Sequence, residues 1–223
     1  MKSIKKSFAV SIVLLAAFII WTVAICFIDV RTIGPQGSSV GFATINQIIH
    51  DMTGVHFRLY NITDWLGLVP IFVSMGFGIL GLVQWIKRKS IRKVDFSILV
   101  LGIFYIVTIV VFLFFENVVI NYRPVLIGGI LEASYPSSTT LLVMCVMPTA
   151  IMQLGSRIKN GVLQKIVSFT ITAFIAFMII GRFVSGVHWF TDIVGGALLS
   201  GGLVMMYYSV SRLKFFKFHN NTI

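Results

Sequence analysis

Six stretches of this chain are apolar, uncharged and close to the length of a bilayer crossing: Phe8–Ile28, Trp65–Ile86, Phe96–Phe115, Ala133–Ser156, Ile166–Gly181 and Ile193–Ser211. A spanning helix needs ~20 such residues. Backbone N–H and C=O groups find no partner in hydrocarbon, so each run must pair them internally as a helix. The fifth run is short, but it lengthens if the helix continues past Arg182 and the guanidinium reaches an interface or a polar pocket. With 57% hydrophobic and 11% charged residues in 223, against ~25% charged in ordinary soluble domains, no water-soluble core could take up this surface. The expected fold is all-α, a six-span transmembrane helix bundle. No linker divides it, so residues 1–223 read as one domain.

A formal charge of +11 raises the question of nucleic acid, and the distribution of that charge answers it. Lys2, Lys5 and Lys6 form one group; Lys87, Arg88, Lys89, Arg92 and Lys93 a second; Arg157, Lys159 and Lys165 a third; Arg212, Lys214 and Lys217 a fourth. Each flanks an apolar run, and in a six-span arrangement all four fall on the same side. Only Arg31, Arg58, Arg123 and Arg182 fall on the other. Short cytoplasmic loops concentrate Lys and Arg, so both termini are expected in the cytoplasm and no nucleic acid partner is expected. The first run has a basic start but no small-residue cleavage site, and reads as a retained helix rather than a signal peptide. Nothing signals a eukaryotic host: Asn61-Ile-Thr matches a glycosylation acceptor by letter only. A bacterial cell membrane is the expected location.

In the first outer loop, Asp29 to Asp64, Ile45, Ile48, Ile49 and Met52 recur at helical spacing with Asn46, Gln47, His50 and Asp51 between them. That pattern predicts a short amphipathic helix at the membrane surface. His50 and His56 read as interfacial residues, and Cys26 and Cys145, both within spans, as small packing residues. Gly195, Gly196, Ala197, Ser200, Gly201 and Gly202 in the last span suit close helix contact.

The outer side carries few ionisable groups, and they gather at three helix ends. Glu116 through Arg123-Pro124 follows the third span. Tyr135-Pro136-Ser137-Ser138-Thr139-Thr140 opens the fourth. Gly181-Arg182, His188 and Asp192 lie between the fifth and sixth. Charged groups at membrane depth are costly and mark function. Two arginines from separate segments can fork onto one phosphate. Pro136 suits a first helical position, leaving the amides of Ser137, Ser138 and Thr139 to face an anion. His188 and Asp192 share a face if helical, so the carboxylate would orient the imidazole. Taken singly, these residues also read as interface anchors, a helix cap and a structural pair; in one topology they read together as an anion site with a candidate nucleophile. The His and acidic residues are too dispersed for a metal cluster.

The order Arg-Pro, Pro-Ser, then Arg, five residues, His, three residues, Asp resembles the type 2 phosphatidic acid phosphatase superfamily, itself related to the vanadium haloperoxidases. The resemblance covers the six-helix layout and most of residues 96–211, and its third motif is the specific one. The family's first motif is Lys, six residues, Arg-Pro; here Arg123 and Pro124 match, and Glu116 stands where the lysine would be. Its second, Pro-Ser-Gly-His, reads Pro136-Ser137-Ser138-Thr139. Its third departs only at the serine, which is Gly181. The resemblance implies that His188 attacks phosphorus, that Asp192 orients it, and that Arg123, Arg182 and Ser137 hold the phosphoryl oxygens, with Ser138 and Thr139 beside them.

Thr139 cannot replace the family's histidine as the acid for the leaving oxygen, a role worth about 10²–10⁴ in rate. Three readings follow. The leaving group needs little protonation, as in a lipid diphosphate; or Glu116 or Glu132 supplies the proton; or the chain binds phospholipid headgroups without turnover. Transfer to another acceptor is a variant of the first two. A small transporter fits less well, since no paired interrupted helices suggest inverted repeats. The expected activity is therefore that of an integral membrane lipid phosphatase acting through a phosphohistidine on the extracytoplasmic face. Its expected partners are a membrane phospholipid or polyprenyl phosphate and the bilayer itself, and no cofactor is expected.

Overall fold

The computed structural model describes residues 2–220, with the side chains of residues 3–212. Eight α-helices follow one another in it: α1 (Lys2–Phe27), α2 (Ala43–Thr53), α3 (Phe57–Leu66), α4 (Leu68–Arg88), α5 (Phe96–Asn117), α6 (Ser138–Gly155), α7 (Gly161–Val184) and α8 (Phe190–Asn220). Six segments are long and apolar enough to span a membrane: Ser3–Phe27, Phe57–Arg88, Phe96–Asn117, Ser138–Gly155, Gly161–Val184 and Phe190–Arg212. The protein is an all-α, six-span transmembrane bundle. Lys214 and Lys217 of the fourth basic group lie outside the described side chains.

Burial separates an inner pair of helices from an outer ring. The most apolar windows of α6 and α8 are 56% and 50% buried, while those of the other spans lie between 11% and 22%. α1 runs antiparallel along α8: Ser11 donates to the Gly202 carbonyl at 2.7 Å, and Trp21 Nε1 to the Thr191 carbonyl at 3.2 Å. Glycines permit the approach. A methyl group placed at Gly202 would sit 2.7 Å from Leu15 of α1, and on another side of α8 one at Gly195 would sit only 2.4 Å from the Tyr135 ring, in the α5–α6 connection. The outward faces keep their Ile, Val and Phe side chains exposed, as with Ile12, Val13, Ile19, Ile20 and Val23 of α1. Lipid is as apolar as leucine, so small residues and close contact hold such helices together.

Several boundaries differ from the sequence reading. The second span begins earlier, because α3 continues almost directly into α4 through Gly67. The first outer loop thus carries two short helices. Its amphipathic helix, α2, leaves Ile45, Ile48 and Met52 exposed and buries Asn46, whose amide bonds the Gly41 carbonyl and Thr191 Oγ1. The fifth span does continue past Arg182, to Val184. The fourth span starts at Ser138 rather than Ala133. Ser138, not Pro136, takes the first helical position, and Ser137 caps it, its side chain accepting from the Thr140 amide. A capping hydroxyl satisfies one of the otherwise orphaned first-turn amides, which proline cannot do from its own side chain.

The two ends of the bundle differ in chemistry. At one end Asp95 joins α4 to α5, contacting Arg88 at 2.8 Å, Gln84 at 2.8 Å and Arg157 at 3.8 Å. At the other end, the α5–α6 connection folds back on itself around Gly128-Gly129, both at positive φ. Bridges pair Tyr122 with Ala133 and Ile127 with Ile130. This arm and the α7–α8 turn bring the three sequence clusters together.

Candidate active site

Each piece of the site is placed by a local backbone device. Arg123 sits on the first limb of the folded-back arm, and its amide bonds the Glu132 carbonyl at 3.1 Å. Ser134 sits on the second limb, its amide on the Asn121 carbonyl at 2.9 Å. The indole of Trp189 donates to the Tyr122 carbonyl at 2.7 Å, tying the start of α8 to the same arm. Asp192 occupies the first turn of α8, where its Oδ2 accepts from the Trp189 amide at 2.9 Å. That is the return half of a capping box, and it fixes the carboxylate before any role in catalysis.

His188 precedes the helix and is almost completely buried. Its Nε2 lies 3.0 Å from Arg123 Nη1. A guanidinium offers only donors, so Nε2 accepts with its lone pair and the ring proton is on Nδ1. Burial, reinforced by the charges of Arg123 and Arg182, holds the imidazole well below its ordinary pKa of 6.5. It is therefore neutral, the form that can act as a nucleophile. Nδ1 stands 3.7 Å from Asp192 Oδ2, outside direct bonding distance, and 3.2 Å from Ser134 Oγ. Ser134 Oγ in turn donates to Asp192 Oδ2.

Arg182 is only 1% exposed, with its Nη2 3.4 Å from Asp64. Its Nε and Nη1 are buried and have no protein partner. Buried donors normally find acceptors, so these two N–H groups stand out among the described residues. The Tyr60 ring lies 4.8 Å from the Arg182 guanidinium carbon and 5.9 Å from that of Arg123. Arg123 Nε is 2.9 Å from Glu132 Oε2, though the N–H does not point along the contact.

A protein-family model described as the PAP2 superfamily matches residues 71–215, well over half of the chain. The chain belongs to the PAP2 superfamily. Among solved structures it is similar to a transmembrane PAP2 type phosphatidylglycerolphosphate phosphatase from Bacillus subtilis, at a TM-score of 0.60 and 19% identity, covering 90% of this chain and 94% of that one. No curated protein sequence gives a significant match.

In this PAP2 chain the fold brings Arg123, Arg182, His188 and Asp192 to one end of the bundle. Ser137 differs from its expected part: its amide bonds the Asp192 carbonyl at 3.1 Å and its hydroxyl caps α6, so neither faces an anion. Ser138 and Thr139 begin α6, where first-turn amides lack intrahelical acceptors. Glu116 and Arg123 do not share a helix face, because α5 stops at Asn117. Glu116 is instead exposed at that helix end and lines a shallow hollow with Ser134, Pro136 and Ser138. Glu132 lies beside Arg123. His188 and Asp192 meet because Asp192 caps the helix that His188 precedes, not through a shared helical face.

The sequence reading missed Ser134, Tyr60 and Asp64. Ser134 had a signal: Gly128-Gly129 between apolar residues marks a fold-back, which sets residues near 134 opposite residues near 123. Tyr60 and Asp64 had none, since their relevance depends on α3 packing against α7.

Proposed function

We propose that this PAP2 protein is an integral membrane lipid phosphatase working through a phosphohistidine. The observation that carries the reading is the pairing of a buried, neutral imidazole, its Nε2 held by Arg123, with a second buried arginine whose Nε and Nη1 have no protein partner. Such a pocket suits a phosphoryl group bound between two guanidinium forks and attacked by nitrogen. Arg123 Nη1 moves from Nε2 to a phosphoryl oxygen, which frees the lone pair, and His188 Nε2 forms the N–P bond while the P–O bond to the lipid breaks. Water then attacks the phosphohistidine, releasing phosphate and restoring the imidazole. Arg123 and Arg182 hold the equatorial oxygens as charge develops.

The leaving oxygen takes a proton unless it already belongs to a phosphate. Glu116, in the hollow behind Ser134, and Glu132, beside Arg123, are the candidates for that role. A lipid diphosphate, such as a polyprenyl diphosphate, would leave without either. Glu116→Gln and Glu132→Gln, each compared on an alkyl and an aryl phosphate, separate these cases. Loss confined to the alkyl substrate identifies the acid; equal loss on both means a positional role.

The site faces away from the basic loops, so we place it on the extracytoplasmic side, with both termini in the cytoplasm. The direct test is phosphate release from a panel of phosphatidic acid, phosphatidylglycerol phosphate and polyprenyl diphosphate in detergent, beside His188→Ala. Release that disappears in the variant supports the reading. Headgroup binding without release from any substrate would replace it with that of a binding protein, and transfer of the phosphoryl group to a lipid alcohol, giving a new phosphate ester and no free phosphate, would make it a transferase.

A further inference from the structure

We propose that Ser134 is the positioning residue through which Asp192 acts on His188. The inference rests on His188 being the nucleophile, and it adds a residue to that site.

Four observations carry it. Asp192 Oδ2 is 3.7 Å from His188 Nδ1, too long for the direct hydrogen bond that would orient an imidazole. Ser134 Oγ fills the interval, 3.2 Å from Nδ1 and hydrogen-bonded to Oδ2. The polarity of the chain is determined at its far end: Arg123 Nη1, a donor, is 3.0 Å from Nε2, so the ring proton is on Nδ1. Ser134 then accepts from Nδ1–H and donates to the carboxylate, using one hydroxyl as both acceptor and donor. Finally, Ser134 is 3% exposed and anchored by its amide to the Asn121 carbonyl at 2.9 Å, so the hydroxyl is held in place and shielded from competing water.

The consequence appears during attack. When Nε2 bonds to phosphorus the imidazole becomes cationic and its Nδ1–H a stronger donor. The carboxylate stabilises that charge only through the hydroxyl between them. Removing the hydroxyl takes from the His188 ring its side-chain acceptor, leaving its hydrogen bond to the Ser134 backbone, and takes from Asp192 one of its donors, while the two arginines stay in place.

Ser134→Ala is therefore expected to lower kcat about 10- to 100-fold, the effect of one hydrogen bond to a charged group. KM and competitive inhibition by inorganic phosphate should stay within about twofold, because Arg123 and Arg182 dominate ground-state binding. Phosphohistidine trapped in alkali should form correspondingly slowly. Ser134→Thr, which keeps the hydroxyl, should recover most of the rate. Wild-type kcat in Ser134→Ala would overturn the proposal. So would parallel loss of kcat, inhibition by inorganic phosphate and thermal stability with no recovery in Ser134→Thr, which would mean a packing role alone.

A readout independent of turnover separates this inference from the phosphatase reading. In ¹⁵N-histidine spectra of the full chain in detergent, with His188→Ala as the assignment control, wild type should show His188 protonated at Nδ1 and bare at Nε2; Ser134→Ala should keep the proton on Nδ1 but shift that resonance, because the hydroxyl that accepts from it is gone. An Nε2–H tautomer in wild type, or an unchanged spectrum in the variant, overturns the positioning role even if lipid phosphate is released. The expected spectra together with no phosphate release would overturn the phosphatase reading and leave Ser134 as the link between Asp192 and His188.

Discussion

Arg123 and Arg182 do different work with the same group. Arg123 bonds His188, and Arg182 keeps two buried donors without a protein partner. A lysine at either position keeps the charge and loses the planar fork. Arg123→Lys and Arg182→Lys should each reduce kcat/KM by about 10- to 100-fold, the scale of a charge-assisted hydrogen bond. Wild-type turnover in both would remove the two arginines from the site. His188 makes a separate prediction about pH. Its pKa lies well below 6.5, first through burial and then through the two arginines. The nucleophile thus stays neutral into the acid range, and the acid limb of kcat/KM should fall below pH 6.5. The unfolded chain takes up a proton there that the folded site refuses. The contribution of this group to stability is accordingly complete above the ordinary value and declines as pH falls below it. An acid limb at or above pH 6.5 would count against a buried neutral His188.

At the scale of elements, the site depends on two junctions rather than on any one helix. The α7–α8 turn packs on the α2–α3 turn: the His56 amide bonds the Ser185 carbonyl at 2.9 Å, and Gly186 has φ +66°. A Cβ at Gly186 would stand 1.8 Å from the Gly54 carbonyl oxygen, backbone that has no rotamer to yield. Gly186→Ala should therefore lower thermal stability and activity together by displacing His188, at a cost of at least ~1–3 kcal/mol for the backbone conformation alone. A variant with unchanged melting and turnover would show that this turn does not hold the nucleophile. α3 forms the second junction. Tyr60 covers both guanidinium groups and Asp64 contacts Arg182, with the carboxylate side chain 55% exposed. In the proposed reaction Asp64 competes with the phosphoryl group for one donor of Arg182. Asp64→Asn should tighten orthovanadate inhibition by roughly two- to fivefold, the small effect expected for a half-exposed pair. Unchanged inhibition would mean that phosphate and Asp64 use different donors.

For the molecule as a whole, the distribution of charge predicts how it sits in the membrane. Cysteines introduced at Ser38, Lys89 and Ala133, in a background without Cys26 and Cys145, should label from outside at positions 38 and 133 and not at 89. Labelling at 89 and protection at 38 would invert the topology. The spans, their number and the alternation of basic loops were legible in the sequence because they follow from local hydropathy and chain order, which hydrocarbon enforces residue by residue. The third motif was legible for a related reason: Arg182, His188 and Asp192 are close in sequence, and a turn between two helices keeps them close in space. What the tertiary structure alone decided is how distant segments meet. Whether Asp192 touches His188 or reaches it through Ser134 depends on the register of the arm that folds back at Gly128-Gly129. Whether Ser137 faces phosphate or caps α6 depends on where that helix starts, and Tyr60 and Asp64 enter the site only because α3 packs beside α7. These contacts join residues dozens of positions apart across helices, and the interhelical packing that selects them leaves no periodic trace along the chain.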